Sequence, residues 1–180
     1  MTDKEIIYLY NSGQREQAFN HIVKDYSERL YLHIRRFVYS HDDADDLVQE
    51  VFIKIWAALP SFRGDAQLFT WIYRIATNEA FNFLRKQKLR TIFSLGSSDS
   101  ILVRKLEQDA YFNGDKLQTE LQKAIIRLPE KQRIVFNLRY FDEMKYEDIS
   151  EITGTSVGAL KASYHHAYSK IKEDLQKVLP

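Results

Sequence analysis

Three groups of side chains in this sequence could do chemistry, and the chemistry is recognition. The first lies near the C-terminus. Lys161, Ala162, Ser163, His165, His166 and Lys170 fall on one face of a helix that the spacing predicts from Val157 to Ile171, and that face has no acid before Glu173. Cations, imidazoles and small side chains in that arrangement suit phosphate oxygens and base edges in the major groove of a duplex. The second group follows the turn Ser61-Phe62-Arg63-Gly64-Asp65. Phe69, Trp71, Tyr73, Phe81 and Phe83 are too many aromatics for one buried stripe, and Arg74, Asn78, Arg85 and Lys86 lie between and after them. Aromatic faces interleaved with cations make a platform for unstacked bases. Packing against the preceding helix is the competing fate of these rings; Phe69 and Phe83 suit it best, while Trp71 and Tyr73 fit either. The third group is Asp46, Gln49 and Glu50, a compact acidic and polar patch one turn inside its helix, suited to a basic helical partner.

No catalytic centre assembles. The sequence has no nucleophile elbow, no phosphate-cradling glycine loop and no HExxH pattern. It has no cysteine, so disulfides and thiolate metal sites are excluded. His165 and His166 are adjacent and would point about 100° apart on a helix, so they cannot share a metal. His21, His33 and His41 are isolated and read as surface or satisfied core histidines. The expectation is no catalytic residue, no metal and no cofactor.

The elements that must position these groups are helices. Only three prolines and six glycines occur, and no strand-like alternation persists. Thr2 to Asn11 reads as a short helix, broken by Gly13. Gln14 to Val38 is a long amphipathic helix with Phe19, Ile22, Val23, Tyr26, Leu30 and Ile34 inward. Asp42 opens the next, with Asp42 and Asp45 at the positive end of its dipole. Leu47, Val48, Val51, Phe52, Ile55, Trp56 and Leu59 form its apolar stripe, and Pro60 stops it. A helix from about Asp65 to Leu89 carries the aromatic and basic group. The pattern weakens from about 87 to 115. Ser94 to Ser100 is turn-rich, and Ile101 to Phe112 keeps enough apolar residues for a docking helix. Lys116 begins a second unit with Leu117, Leu121, Ala124, Ile125 and Leu128 on one face. Pro129 takes the first position of the next helix, with Ile134, Val135, Leu138 and Phe141 inward and Lys131, Arg133 and Arg139 outside.

The chain closes on YEDISEITG, TS, VGALKASYHHAYSKI. Ile149 and Ile152 mark a short acidic helix. Gly154 supplies a left-handed residue that ends it, and Ser156 can cap the next. There Val157, Leu160, Tyr164, Ala167 and Ile171 are spaced 3, 4, 3 and 4. A plain helical hairpin would show the same spacing. The contrast between an acidic first helix and a basic second one favours a DNA-reading helix-turn-helix. The fold class is therefore all-α: two small helical domains, 1–90 and 116–180, joined by a linker at 91–115.

Charge distribution says more than net charge, which is only +1 over 180 residues. His41 to Glu50 holds five acids and no Lys or Arg, whereas Arg85 to Arg90 holds four bases and no acid. Alternating blocks imply several distinct charged surfaces rather than one basic sheath. No apolar run approaches the ~18 residues of a membrane span. The N-terminus carries an early acid and no long apolar core, so no signal peptide is expected. A cytoplasmic protein without membrane insertion fits.

Three blocks resemble the extracytoplasmic-function (ECF) σ factors of bacterial RNA polymerase: DADDLVQEVFIKIW (Asp43 to Trp56), FRGDAQLFTWIYRIATNEAFNFLRK (Phe62 to Lys86) and LPEKQRIVFNLRYFDEMKYEDISEITGTSVGALKASYHHAYSKI (Leu128 to Ile171). They run in the family's order, with a linker where the family has one. The resemblance implies that the first domain is region 2 and the second region 4. It implies that Asp46, Gln49 and Glu50 bind the β′ coiled coil of core RNA polymerase. Arg63, Asp65, Trp71, Tyr73, Arg74 and Asn78, with Arg85 and Lys86 beyond them, would meet the −10 element. Lys161, Ala162, Ser163, His165, His166 and Lys170 would meet the −35 element. Implied partners are core polymerase (β′ and β subunits), promoter DNA and an anti-σ factor. The chain departs from the family at Ser163 and His166, where arginines are common, and at Ser150, usually alanine. Two other readings leave features unexplained: a regulator binding DNA alone does not use the first domain, and a helical adaptor does not use the recognition helix.

Overall fold

Thr2 starts the first helix by a reciprocal cap: its hydroxyl accepts from the Glu5 N–H at 3.4 Å, and the Glu5 carboxylate accepts from the Thr2 N–H at 2.7 Å. From there the computed structural model describes residues 1–91 and 97–179, and among these it contains nine α-helices and no strand. After α1 (Asp3–Asn11), Gly13 at φ 91° turns the chain into α2 (Arg15–Val38). α2 ends at Tyr39, a non-glycine residue at φ 54°. That conformation costs on the order of 1–2 kcal/mol. It is held by burial of the Tyr39 ring with Leu102, Leu106 and Ile126, and by its hydroxyl donating to Gln122 Oε1 at 3.2 Å.

Ser40 caps α3 (His41–Ala58) by accepting from Asp43 N–H at 3.3 Å. Pro60 does stop that helix, which tightens into a short 3₁₀ turn at Leu59–Ser61. The aromatic helix, α4 (Leu68–Thr91), begins three residues later than the sequence suggests. Phe62 to Gln67 is spent on a turn in which Gly64 sits at φ 79°.

Of the turn-rich run expected at 94–100, residues 94–96 lie outside the described residues. Ser97 caps α5 (Ser98–Gln108), so the linker region does contain a helix. It docks through Leu102 and Leu106 against Tyr39 and Ile126, within the chain. A second reciprocal cap, Asp115 with Gln118, opens α6 (Lys116–Ile126). Pro129 precedes α7 (Glu130–Phe136) by one residue and is its cap rather than its first member. α7 runs on into a π-turn at Asn137–Phe141. α8 (Tyr146–Thr153) ends at Gly154, φ 69°, and Ser156 accepts from Ala159 N–H at 3.3 Å to start α9 (Val157–Val178). The helix-turn-helix thus has the caps that its sequence required.

The two helical groups are packed together. One continuous cluster of buried apolar residues includes Ile22, Leu30, Ile55, Ile72 and Ala80 from α2–α4, and Val135, Leu138, Ile149, Ile152 and Leu160 from the C-terminal helices. A smaller one, with Ile125, Phe136, Ala167 and Ile171, closes the C-terminal group on itself. Three side chains break the expected pattern. Trp56, placed on the core stripe of α3, is 45% exposed. Leu117, placed inward on α6, is 47% exposed. Arg133, placed outside on α7, is 8% exposed, because that face of α7 meets α4 and not solvent.

Candidate nucleic-acid interface

The α9 face is built as its sequence requires. Leu160, Ala167 and Ile171 are buried and fix the roll of the helix, which leaves Lys161, Ala162, His165, His166 and Lys170 exposed and Ser163 half-buried. Lys161 Nζ stands 5.8 Å from the centre of the Tyr146 ring, and Arg139 lies 5.1 Å from the same ring. Tyr146 therefore carries two cations beside the helix-turn-helix, each attracted by the ring's negative face. Arg139 Nη1 also donates to the Met144 carbonyl at 2.8 Å, which fixes its position. The His165 and His166 rings are 6.2 Å apart at 60°. Among the described residues no group of three His, Cys, Asp or Glu could hold a metal.

The aromatic helix is less uniform. Arg63 and Asp65 are exposed on the turn before α4. Phe62 backs Trp71 at 4.9 Å between ring centres, so Trp71 is half-buried with one part of its indole free. Asn78, Arg85 and Lys86 follow along the exposed side. Tyr73 does not belong to this surface. It is 2% exposed, wedged against His33 at 4.9 Å with Arg29 5.7 Å from its ring, and burial pushes its hydroxyl above the ordinary tyrosine range. A ring so placed cannot stack on a base. Periodicity missed this because α4 is covered on two sides, by α2 and α3 and also by α8.

On α3, Asp46, Gln49 and Glu50 are all exposed, while Leu47, Val48 and Val51 face inward. Asp43 is not free in the same way; Lys105 of α5 lies 2.5 Å from its carboxylate. Past the acidic patch, Ile53, 68% exposed, and Trp56 line an open groove with Phe19 and Phe52. This apolar extension is not legible in the sequence, since Trp56 sits at core spacing.

A set of contacts between the two helical groups was also invisible in the sequence. Thr70 donates to the Glu151 carboxylate at 2.7 Å, and Arg74 donates to the Glu151 backbone carbonyl. Arg85 pairs with Glu130. His33, wholly buried, lies 2.7 Å from Asp142 through Nδ1 and 2.9 Å from the Thr77 hydroxyl through Nε2. A carboxylate only accepts, so Nδ1 donates. Arg36 reaches the other Asp142 oxygen at 2.7 Å. Thus Arg74 and Arg85, two members of the expected −10 group, are occupied by the C-terminal helices.

Among the described residues, a capped helix-turn-helix, an aromatic and basic helix and a separate acidic patch are combined in one all-α chain, the architecture of a DNA-binding protein. Its relatives agree. The profile described as Sigma-70 region 2 matches residues 22–90, and that described as Sigma-70, region 4 matches residues 118–171. The ECF RNA polymerase sigma-E factor of Escherichia coli is 33% identical, over 99% of this chain and 97% of that protein. The sigma-E factor of Haemophilus influenzae is 30% identical, over 99% and 98%. Among solved structures, the σ factor RpoE in complex with the anti-σ factor NepR from Bartonella quintana superposes with a TM-score of 0.69 at 27% identity, covering 88% of this chain and 96% of that one. CnrH in complex with the cytosolic domain of CnrY shares the fold, with a TM-score of 0.72 at 22% identity over 97% of each chain. The chain belongs to the extracytoplasmic-function σ factors. It binds core RNA polymerase and directs promoter-specific transcription initiation. No helix of the described residues is long and apolar enough to cross a membrane.

Proposed function

We propose that residues 1–90 grip the polymerase and open the −10 element, that 116–180 read the −35 element, and that 91–115 join them. Asp46, Gln49 and Glu50 meet the β′ coiled coil. Arg63, Asp65, Trp71, Arg74, Asn78, Arg85 and Lys86 engage the −10 strand; Tyr73 holds the core beneath them. Lys161, Ala162, Ser163, His165, His166 and Lys170 read the −35 duplex. The protein works in the cytoplasm by binding, without a covalent step. Trapping unstacked bases supplies melting energy, about 1–3 kcal/mol per base.

The observation that carries this reading is the exposure of α9's polar face together with the engagement of α4 by Glu151 and Glu130. The two promoter elements are about 25 base pairs apart, roughly 80 Å of duplex at ~3.4 Å per pair. Here α9 packs on α8 and α8 on α4, so the two readers are about two helix diameters apart, ~20 Å. Both elements cannot be read at once in this arrangement. The chain is therefore the closed form, and core polymerase separates its halves. An anti-σ factor, of the kind bound to the Bartonella protein, acts on the same equilibrium.

In vitro transcription with purified core on a library of promoter fragments tests the reading. Transcripts that start from a defined promoter class only when both chain and core are present support it. Tight sequence-specific duplex binding by the isolated chain, below micromolar at physiological salt, would favour a self-sufficient regulator instead.

A further inference from the structure

Between the two halves lies a cavity of about 330 Å³, walled by the end of α4, the first turn of α5, and the α6–α7 turn. Four cations line it, Arg85, Lys88, Arg127 and Arg133, against two carboxylates, Asp99 and Glu130. Glu130 is taken up by Arg85, and Arg127 leans 3.6 Å toward Asp174 on α9. Lys88 and Arg133 have no carboxylate partner among the described residues.

Arg133 is the unusual member. It is more than nine-tenths buried, makes no ion pair among the described residues, and its Nε has no hydrogen-bond partner. The Phe81 ring lies 5.4 Å away, and Asp99 and Glu130 act on the guanidinium only from beyond ion-pair distance. Burying a cation without an anion in direct contact is costly, and the guanidinium is the side chain shaped to grip a phosphate through paired N–H groups. The start of α5 adds the positive end of a helix dipole at the same wall. The volume exceeds that of a bare phosphate ion and falls in the lower range of small-molecule sites.

We propose that this cavity binds a phosphate-bearing small molecule, its phosphate held by Arg133 and Lys88. The walls come from both halves of the chain, so an occupant makes contacts that exist only in the closed form. By linkage it strengthens closure and withholds Arg85 and its neighbours on α4 from the −10 strand. The site is thus an effector site that shares Arg85 with the proposed −10 surface and lies apart from the proposed −35 surface. Its existence does not depend on the assignment of those surfaces.

Isothermal titration of the full chain with inorganic pyrophosphate, at ionic strength held constant with chloride, tests the site. The expected result is saturable one-to-one binding, abolished by Arg133→Met and weakened at least tenfold by Lys88→Gln. Arg133→Met keeps the volume and removes an unpaired buried charge, so it should fold; Lys88 is exposed, so Lys88→Gln decides the matter if it does not. A donor and acceptor dye on α3 and α9 should report tighter closure with pyrophosphate in wild type only. Heat no greater than that of equimolar sulfate and chloride, or binding undiminished in both variants, overturns the proposal. So does binding of a single-stranded oligonucleotide that shows the same dependence on both residues while pyrophosphate does not bind, since the groove would then belong to DNA.

Discussion

His33, wholly buried in α2, lies 2.7 Å from the carboxylate of Asp142, 109 residues further along the chain. Asp142 also holds Arg36, and its own side chain is only 8% exposed. This is the polar centre of the contact between the two halves, with the Thr70, Arg74 and Glu151 contacts on one side of it. Hydrogen bonds to a charged group in such a place contribute about 1.5–3 kcal/mol each.

Removing that carboxylate should therefore open the chain. Asp142→Ala removes both bonds and takes about 3–6 kcal/mol from the closed form, which raises the ratio of open to closed chain by at least about 100-fold. Dyes on α3 and α9 should move apart, and the isolated variant should bind a single-stranded −10 oligonucleotide more tightly than wild type does. Unchanged dye separation, in a variant whose helicity is intact, rejects Asp142 as the latch.

Glu50→Lys should weaken core binding and leave the fold alone. Glu50 is exposed, flanked by Asp46 and Gln49, and makes no ion pair among the described residues. A reversed charge facing a basic partner can cost several kcal/mol. Pull-down of core by the folded variant is the measurement, and undiminished capture removes α3's acidic edge from the polymerase interface.

Lys161→Ala and Trp71→Ala should fail differently. Lys161 stands exposed beside Tyr146 on α9, the proposed −35 helix, so its loss should lower promoter affinity by about 1–3 kcal/mol if it contacts a base. A premelted template should not rescue it. Trp71 keeps part of its indole free above Phe62, so its loss should slow opening, and premelting the −10 region should restore much of the activity. Transcription from duplex and bubble templates at one salt concentration separates the two, and a common response to premelting defeats the division of labour.

Tyr73→Ala should act on stability and not on DNA directly. The ring packs against His33 and Phe69, and emptying such a site costs about 3–5 kcal/mol. A thermal melt should show a large drop, whereas Trp71→Ala should show a small one. If Tyr73→Ala melts like wild type yet no longer opens promoters, the ring serves DNA after all.

The sequence by itself determined the helices and most of their ends, because caps and breakers act within four residues. Gly154 and Ser156 do in the structure what their types imply, whereas the caps Ser40 and Asp115 emerge only with the structure. It also determined which faces of α3 and α9 are polar, since each helix buries one stripe against its own group. It misplaced Tyr73, Trp56 and Arg133 because periodicity assumes one buried face per helix. α4 is covered on several sides, α3 leaves an apolar edge bare, and α7 turns Arg133 toward Phe81 of α4 while Lys131 stays exposed. Only the tertiary structure decided that Asp142 meets His33, that Glu151 meets Arg74, and that a cationic cavity lies between the halves. Those contacts span tens of residues to more than a hundred, and no local rule of helix chemistry encodes a partner so far away.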